Sequence, residues 1–308
     1  MSLVSRLLGR RGASGFGYAS TAEDVTSGLD LRGHAVLITG VTSGLGAESA
    51  RVLHLRGARI LGAARSQSSA ARACQAWGRD AVALACDLSE PRSVRACVET
   101  VKASGIALDA ILCNAGIMAL PERELRYGQE LQFLTNHIGH FLLVTGLLDV
   151  LKERGRVVML SSAAHEMAPP KTGIQFDDLT LAHNYRPWLA YGQSKLANLL
   201  FARALARRFA GSQRTANALH PGVIVTALAR HSGPIMRYGA PLVSPLFFKS
   251  VGQGAATQCY AAVHPGAARI SGEYLANCNI ARSSRFGRDE KLAERLWDTT
   301  ERIVAELA

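Results

Sequence analysis

Apolar residues in this chain gather into short unbroken runs, separated by stretches in which they recur every third or fourth position. The runs at 34–39, 59–63, 81–86, 108–113, 156–161, 214–219 and 273–276 predict strands, most of them buried. The stretches at 44–56, 91–103, about 124–152 and 187–209 predict helices. Strand and helix alternate from the start, so the expected fold class is α/β, a doubly wound parallel sheet in one domain with helices on both faces. In such a sheet ligands bind beyond the carboxyl ends of the strands, which is where chemistry is to be sought.

Composition adds limits. A chain of 308 residues, 48% apolar, can fill one core, and its 29 glycines and ten prolines are scattered without a repeat or linker. Residues 1–30 read as a separable, partly disordered leader and 31–308 as the domain. The first 22 residues carry Arg6, Arg10 and Arg11 with no acid before Glu23. That composition leaves organelle targeting open beside a cytoplasmic location. The six cysteines form no CxxC pair and no Cys/His ligand spacing, so neither a metal site nor a disulfide framework is expected. The net charge of +11 is spread singly along helices with no basic block or aromatic ladder, which argues against nucleic acid. No apolar run is long enough to span a bilayer. Peripheral membrane contact and homo-oligomerisation stay open.

The first predicted strand runs into Thr39-Gly40-Val41-Thr42-Ser43-Gly44-Leu45-Gly46 and then a helix. A glycine-rich turn feeding a helix N-terminus suits a pyrophosphate, because free N–H groups and the positive end of the dipole face it and glycine lets it approach. After the second strand comes Ala64-Arg65-Ser66, with no acid between Glu48 and Asp80. A guanidinium there matches a ribose 2′-phosphate bidentately, and nothing local repels it. Further on, Tyr191 and Lys195 lie four residues apart on one helix face. A nearby ammonium, together with an oxidised nicotinamide, favours phenolate and lowers the tyrosine pKa, making Tyr191 a proton carrier. Ser161 and Ser162 close the strand before it, where a hydroxyl can donate to a developing oxyanion.

The spacing of Gly40, Gly44 and Gly46, TGxxxGxG, resembles the short-chain dehydrogenase/reductase family, a single-domain Rossmann fold. The likeness runs continuously from 34 to 226 and is nearest the branch of retinol dehydrogenases and WW-domain oxidoreductases, in Ser161-Ser162-Ala163-Ala164-His165, Tyr191 to Asn198, His220-Pro221-Gly222 and Ala293 to Trp297. The resemblance implies a tetrad of Asn136, Ser162, Tyr191 and Lys195, with Ser162 the catalytic serine and Asn136 ordering Lys195 through water. It implies NADP(H) held by Gly40, Ser43, Gly44, Leu45 and Gly46, by Arg65 at the 2′-phosphate, by Asp87 with Leu88 at the adenine, and by Asn114-Ala115-Gly116. Tyr191, Lys195, Pro221, Gly222 and Thr226 complete that set on the nicotinamide side.

The loop 163–190 is longer than in many family members, a trait the branch shares. With the apolar segment 227–250 it is expected to flank a pocket for a small hydrophobic alcohol or carbonyl compound, Leu246, Phe247 and Phe248 lying in a lid. His137, His140, His165 and His220 need no catalytic role. The expected activity is NADP(H)-dependent interconversion of an alcohol and an aldehyde or ketone. The alternative is a regulatory or redox-sensing NADP(H)-binding subunit with little turnover, since similar chains include plastid-envelope import-associated proteins.

Overall fold

The computed structural model describes residues 11–224 and 249–307. The chain forms α1 (Ala22–Val25), β1 (Ala35–Thr39), α2 (Gly44–Leu55), β2 (Arg59–Ala64), α3 (Gln67–Cys74), β3 (Val82–Ala85), α4 (Pro91–Ala103) and β4 (Leu108–Cys113). A short hairpin follows, β5 (Leu125–Arg126) and β6 (Gln129–Glu130). Helix α5 is built from Leu131–Phe133, a π-helical turn Leu134–Ile138, and Gly139–Gly146. Then come β7 (Leu151–Leu160), α6 (Pro187–Arg208), β8 (Thr215–His220), α7 (Val251–Val263), β9 (Tyr274–Ala276), β10 (Asn279–Ile280) and α8 (Glu290–Glu306).

The main sheet has the order β10-β9-β8-β7-β4-β1-β2-β3, parallel throughout except for β10 against β9. Every residue of β1 is buried, as expected of a central strand covered on both faces. The chain leaves β1 toward β2 and β3, then crosses back to place β4 on the other side. That reversal opens a crevice at the carboxyl ends of β1 and β4. One apolar layer lies between the sheet and α4, α5, α6 and α8, a second between the sheet and α1, α2 and α7.

Three sequence expectations change here. The stretch 124–152 is not one helix: Tyr127 and Gly128 take φ of 52° and 70°, a left-handed pair that closes a two-residue hairpin, and β7 already begins at Leu151. Apolar spacing cannot register such a turn, because its signal is backbone chirality. Helices α1, α3, α7 and α8 and strand β10 are additions to the predicted elements. Residues 11–30, set apart by composition, pack onto the domain: Asn279 Nδ2 donates to the Phe16 carbonyl (3.0 Å), and Phe16 meets Tyr260 and His264 edge to face. Ala22 and Val25 are buried with α7.

Helix α8 buries Ala293, Leu296, Trp297, Thr300 and Ile303, one stripe at helical spacing. Trp297 lies against Phe201 and Phe141, with ring centroids 5.5 and 4.9 Å away, under the Arg208 guanidinium 3.7 Å from its ring. We expect Trp297→Ala to cost about 3–5 kcal/mol, measured as a lower urea midpoint at unchanged slope; a change within error would mean that α8 contributes little to the core.

Candidate active site

Three strand ends and one long helix converge on the crevice. At the end of β1, Gly40 and Gly44 have φ of 75° and 59°, open to glycine at no steric cost. A Cβ on Gly46 would lie 2.3 Å from the Gly40 carbonyl oxygen, so only glycine lets α2 start this close to the strand. Ser43, at the N-cap of α2, makes no side-chain cap bond, which leaves first-turn N–H groups available for an anion. Leu45 is buried against Gly254 of α7. Arg65 is exposed just past β2, beside Ser66, whose hydroxyl caps α3. Asp87 Oδ1 accepts from the Ser89 N–H (3.0 Å) and hydroxyl (2.7 Å), and Arg126 of the hairpin donates to that hydroxyl (2.7 Å). Leu88 is buried beside it, its carbonyl pressed against Gly139.

At the end of β4, Asn114 donates from Nδ2 to the Thr39 carbonyl (2.9 Å), while its buried Oδ1 has no hydrogen-bond partner. The Asn114 amide nitrogen lies against the positions that a Cβ on Gly40 or Gly46 would occupy, so the end of β4 packs directly on the glycine-rich turn. The N–H groups of Asn114 and Ala115 both donate to the Thr39 hydroxyl at 3.0 Å. A Cβ on Gly116 would fall 3.0 Å from Asn136 Oδ1 and 3.4 Å from Lys195 Nζ. The three residues therefore meet at one point. These features fit a dinucleotide laid across the crevice.

Asn136 sits in the π-helical turn, a local widening that is frequent at functional sites. Its Oδ1 accepts from the Ile117 N–H (2.8 Å), and its Nδ2 donates to the Ile117 carbonyl (2.9 Å) and to Ser194 Oγ (2.9 Å). Its own carbonyl accepts from His140 Nδ1 (2.8 Å). Since that nitrogen carries the proton, His140 Nε2 is the acceptor of the Thr39 hydroxyl at 2.9 Å. Motif spacing gives no sign of Thr39, His140 and Ser194, yet they join β1, the active-site turn and α6.

Along α6, Gly192 makes the approach possible: a Cβ there would meet the Ala164 carbonyl oxygen at 2.7 Å. Lys195 is buried and donates to the Leu160 carbonyl (2.9 Å), with its Nζ 5.6 Å from the Tyr191 ring centroid. The two serines divide. Ser161 is buried and donates to the Lys195 carbonyl (2.8 Å), whereas the Ser162 hydroxyl accepts from the Ala164 N–H (3.1 Å) and is placed to favour the ionised form of the Tyr191 phenol.

Burial dominates the electrostatics of the pair. Burial pushes the Tyr191 phenol up to about 12, against the smaller opposing pull of Ser162, and brings Lys195 down to about 8. Desolvation in the pocket thus outweighs any lowering of the phenol by the ammonium. Pro221 and Gly222 follow β8, with Gly222 at φ 97° and the Lys249 stem where its Cβ would be, 2.5 Å away at the nearest atom. Thr226 and the lid residues Leu246, Phe247 and Phe248 lie outside the described residues.

A short chain dehydrogenase family model matches residues 34–174. Over its full length the chain is 42% identical to the short-chain dehydrogenase TIC 32 A, chloroplastic, of Brassica napus, covering 100% of each. The chain belongs to the short-chain dehydrogenase/reductase family. It is 40% identical to retinol dehydrogenase 12 of Mus musculus, over 89% of this chain and 87% of that one. A crystal structure of a short chain dehydrogenase from Burkholderia cenocepacia in complex with NADP superposes with a TM-score of 0.62 at 25% identity, over 80% and 96% of the two chains. The protein is thus an oxidoreductase of the Rossmann type. Among the described residues no helix is long and apolar enough to cross a membrane.

Burial also holds several histidines neutral. His137 falls to about 3, and His140 and His220 to about 4, desolvation leading in each case. Unfolded histidine titrates near 6.5, so each takes up a proton on unfolding below that pH. Their contribution to stability is whole above pH 6.5 and is lost as the pH falls toward 4, by about 1.4 kcal/mol per unit for each group. The urea midpoint should therefore drop between pH 7 and pH 5; an unchanged midpoint would show that these rings are charged in the folded state.

Proposed function

We propose that this oxidoreductase interconverts an alcohol and an aldehyde or ketone of hydrophobic character, using NADP(H), through Asn136, Ser162, Tyr191 and Lys195. The observation that carries the reading is the convergence of a buried Tyr191 ring, the Lys195 ammonium 5.6 Å from its centroid, and Asn136 beside that ammonium at Gly116, with Ser162 acting on the same phenol. The crevice residues Gly40, Ser43, Gly44, Leu45 and Gly46 hold the diphosphate, Arg65 the 2′-phosphate, Asp87 and Leu88 the adenine. Asn114, Ala115, Gly116, Tyr191, Lys195, Pro221, Gly222 and Thr226 hold the nicotinamide half. Reduced nicotinamide, when bound, supplies hydride to the carbonyl carbon.

Tyr191 and Ser162 both donate to the substrate oxygen, and Tyr191 gives up its proton to it as charge develops. A phenol near 12 is a willing acid only because the acceptor is an alkoxide in the making. Lys195, near 8 and so largely charged at neutral pH, stabilises the resulting phenolate and restores its proton. Asn136 fixes the Ile117 turn and Ser194 around that ammonium. The same burial disfavours a resting phenolate, so reduction is the direction these groups support.

Hydrophobic character rests on the mouth. Met167, Trp188 and Val223 are 50%, 39% and 54% exposed, and Trp188 lies edge-on to Tyr191 with ring centroids 6.0 Å apart. Large apolar side chains held open to solvent beside a reacting group favour an apolar partner.

A second reading, an NADP(H)-binding regulatory subunit with little turnover, draws on the full-length likeness to the chloroplastic TIC 32 A chain. That likeness also supports delivery to an organelle over a cytoplasmic location.

Two variants test these roles. Arg65→Ala removes a charge-assisted contact from an exposed site, so the Kd of NADPH should rise about tenfold or more while that of NADH stays within twofold; parallel losses for both would remove Arg65 from the 2′-phosphate. Tyr191→Phe keeps the ring and every proposed phosphate contact, so NADPH titration by fluorescence should match the wild type while kcat on the best of a panel of aldehydes and ketones falls at least about a hundredfold. Wild-type turnover in that variant would end the catalytic assignment. Tight NADPH binding by a wild type that reduces nothing across the panel would favour the regulatory subunit.

A further inference from the structure

The peptide unit that follows Ser162 is gripped on both of its polar atoms by histidines from different parts of the chain. His165 Nδ1 lies 2.6 Å from the Ser162 carbonyl oxygen. A carbonyl only accepts, so that nitrogen carries the proton. The ring's other nitrogen, Nε2, accepts the Ser284 N–H at 3.0 Å, which is consistent only with the neutral Nδ1–H tautomer. On the opposite side of the same peptide, the Ala163 N–H donates to His220 Nδ1 at 3.2 Å. That ring presents the reverse arrangement, a bare Nδ1 and therefore a proton on Nε2.

We infer that His165 and His220 form a two-sided clamp on the Ser162–Ala163 peptide and are positioning residues that aim the Ser162 hydroxyl. The inference rests on the proposed role of Ser162 in the reaction.

A serine at a strand end is free to turn with its backbone. Here β7 stops at Leu160, and Ser162 has already left the ladder at φ −165° and ψ 160°. Outside the ladder the Ser162 carbonyl also accepts the His165 backbone N–H (3.1 Å), and the two rings add side-chain anchors to that turn on both faces of the peptide. With the carbonyl and N–H both engaged, the plane cannot rotate, and the hydroxyl is left with the Ala164 N–H behind it (3.1 Å) and the phenol in front. The anchors reach far. His165 lies against the Tyr274 ring of β9, centroids 5.0 Å apart; Ser284 comes from the loop after β10; His220 ends β8. Both rings must stay neutral, since a protonated His220 would point a donor at a donor. Burial keeps both below their ordinary range, the Lys249 ammonium adding to this at His220, with Glu166 opposing it at His165.

Two measurements test the clamp. In protein labelled with ¹⁵N at histidine, His165 should show the Nδ1–H tautomer and His220 the Nε2–H tautomer at pH 7, with no substrate needed; either ring in the other tautomer overturns the assignment. The second is kinetic, using NADPH with 4-nitrobenzaldehyde and decanal, in variants checked for folding by circular dichroism. His165→Leu and His220→Leu should each lower kcat at least about tenfold, since small displacements of a reacting group are costly, while NADPH affinity stays within twofold. His220→Asn, whose Oδ1 can stand in for Nδ1, should recover most of the loss. In a Ser162→Ala background, followed by single turnover, either leucine change should add less than twofold, because its effect passes through the hydroxyl already removed. If the losses multiply, or if asparagine does not rescue, the clamp falls while the role of Ser162 stands. If Ser162→Ala alone turns over normally, both fall together.

Discussion

Burying an ammonium is costly for any fold. Lys195 is 2% exposed, and a charge that far from water is made tolerable by carbonyls and dipoles already in place to receive it. The carbonyl it uses is that of Leu160, the last residue of β7, so the position of the ammonium is tied to the edge of the sheet. Helix α6 reaches that edge because Gly192 lets its backbone pass the turn at Ala164. Everything else in the site accommodates this one placement. Asn136 and Gly116 shape the space around Nζ, and Ser161 returns its hydroxyl to the Lys195 carbonyl.

The same desolvation separates the two members of the pair from their behaviour in water. It raises the phenol and lowers the ammonium, so that at neutral pH the phenol stays protonated and the lysine becomes the readier of the two to release its proton. A lysine poised near neutrality can resupply a tyrosine that has just given its proton away, which is what a relay between bulk and substrate requires. The serine next to them contributes by geometry instead. It lies at the meeting point of the β7 end, the 163–167 turn and α6, and the peptide that follows it is bonded by two histidine rings.

Much of this was legible in the sequence, for a physical reason. Buried parallel strands must be apolar along their length, so β1, β2, β4 and β8 announced themselves to within a residue or so. Three glycines between a strand and a helix mark a backbone that something must approach closely, and that too is written in residue type. The pair Tyr191 and Lys195 was readable because a helix places i and i+4 together whatever surrounds it. What escaped depends on through-space partners. The π-helical turn at Asn136, the hairpin closed by Tyr127 and Gly128, and the Thr39–His140 link have no periodic signature. The depth at which Tyr191 and Lys195 lie escaped as well, since motif spacing shows a neighbouring charge but not how far both groups are from water.

The leader behaves alike at the other end of the chain. Its composition suggested something appended, yet Tyr18 places its ring 4.9 Å from the Lys249 ammonium, and the Lys249 stem fills the space behind Gly222. Among the described residues that ammonium has no hydrogen-bond partner, so the aromatic face is part of what makes its burial tolerable. The order of support runs from leader to lysine to glycine loop, and the loop is the one expected to carry the nicotinamide. Tyr18, in a segment that looks separable by composition, thus touches the lysine that backs the Gly222 loop.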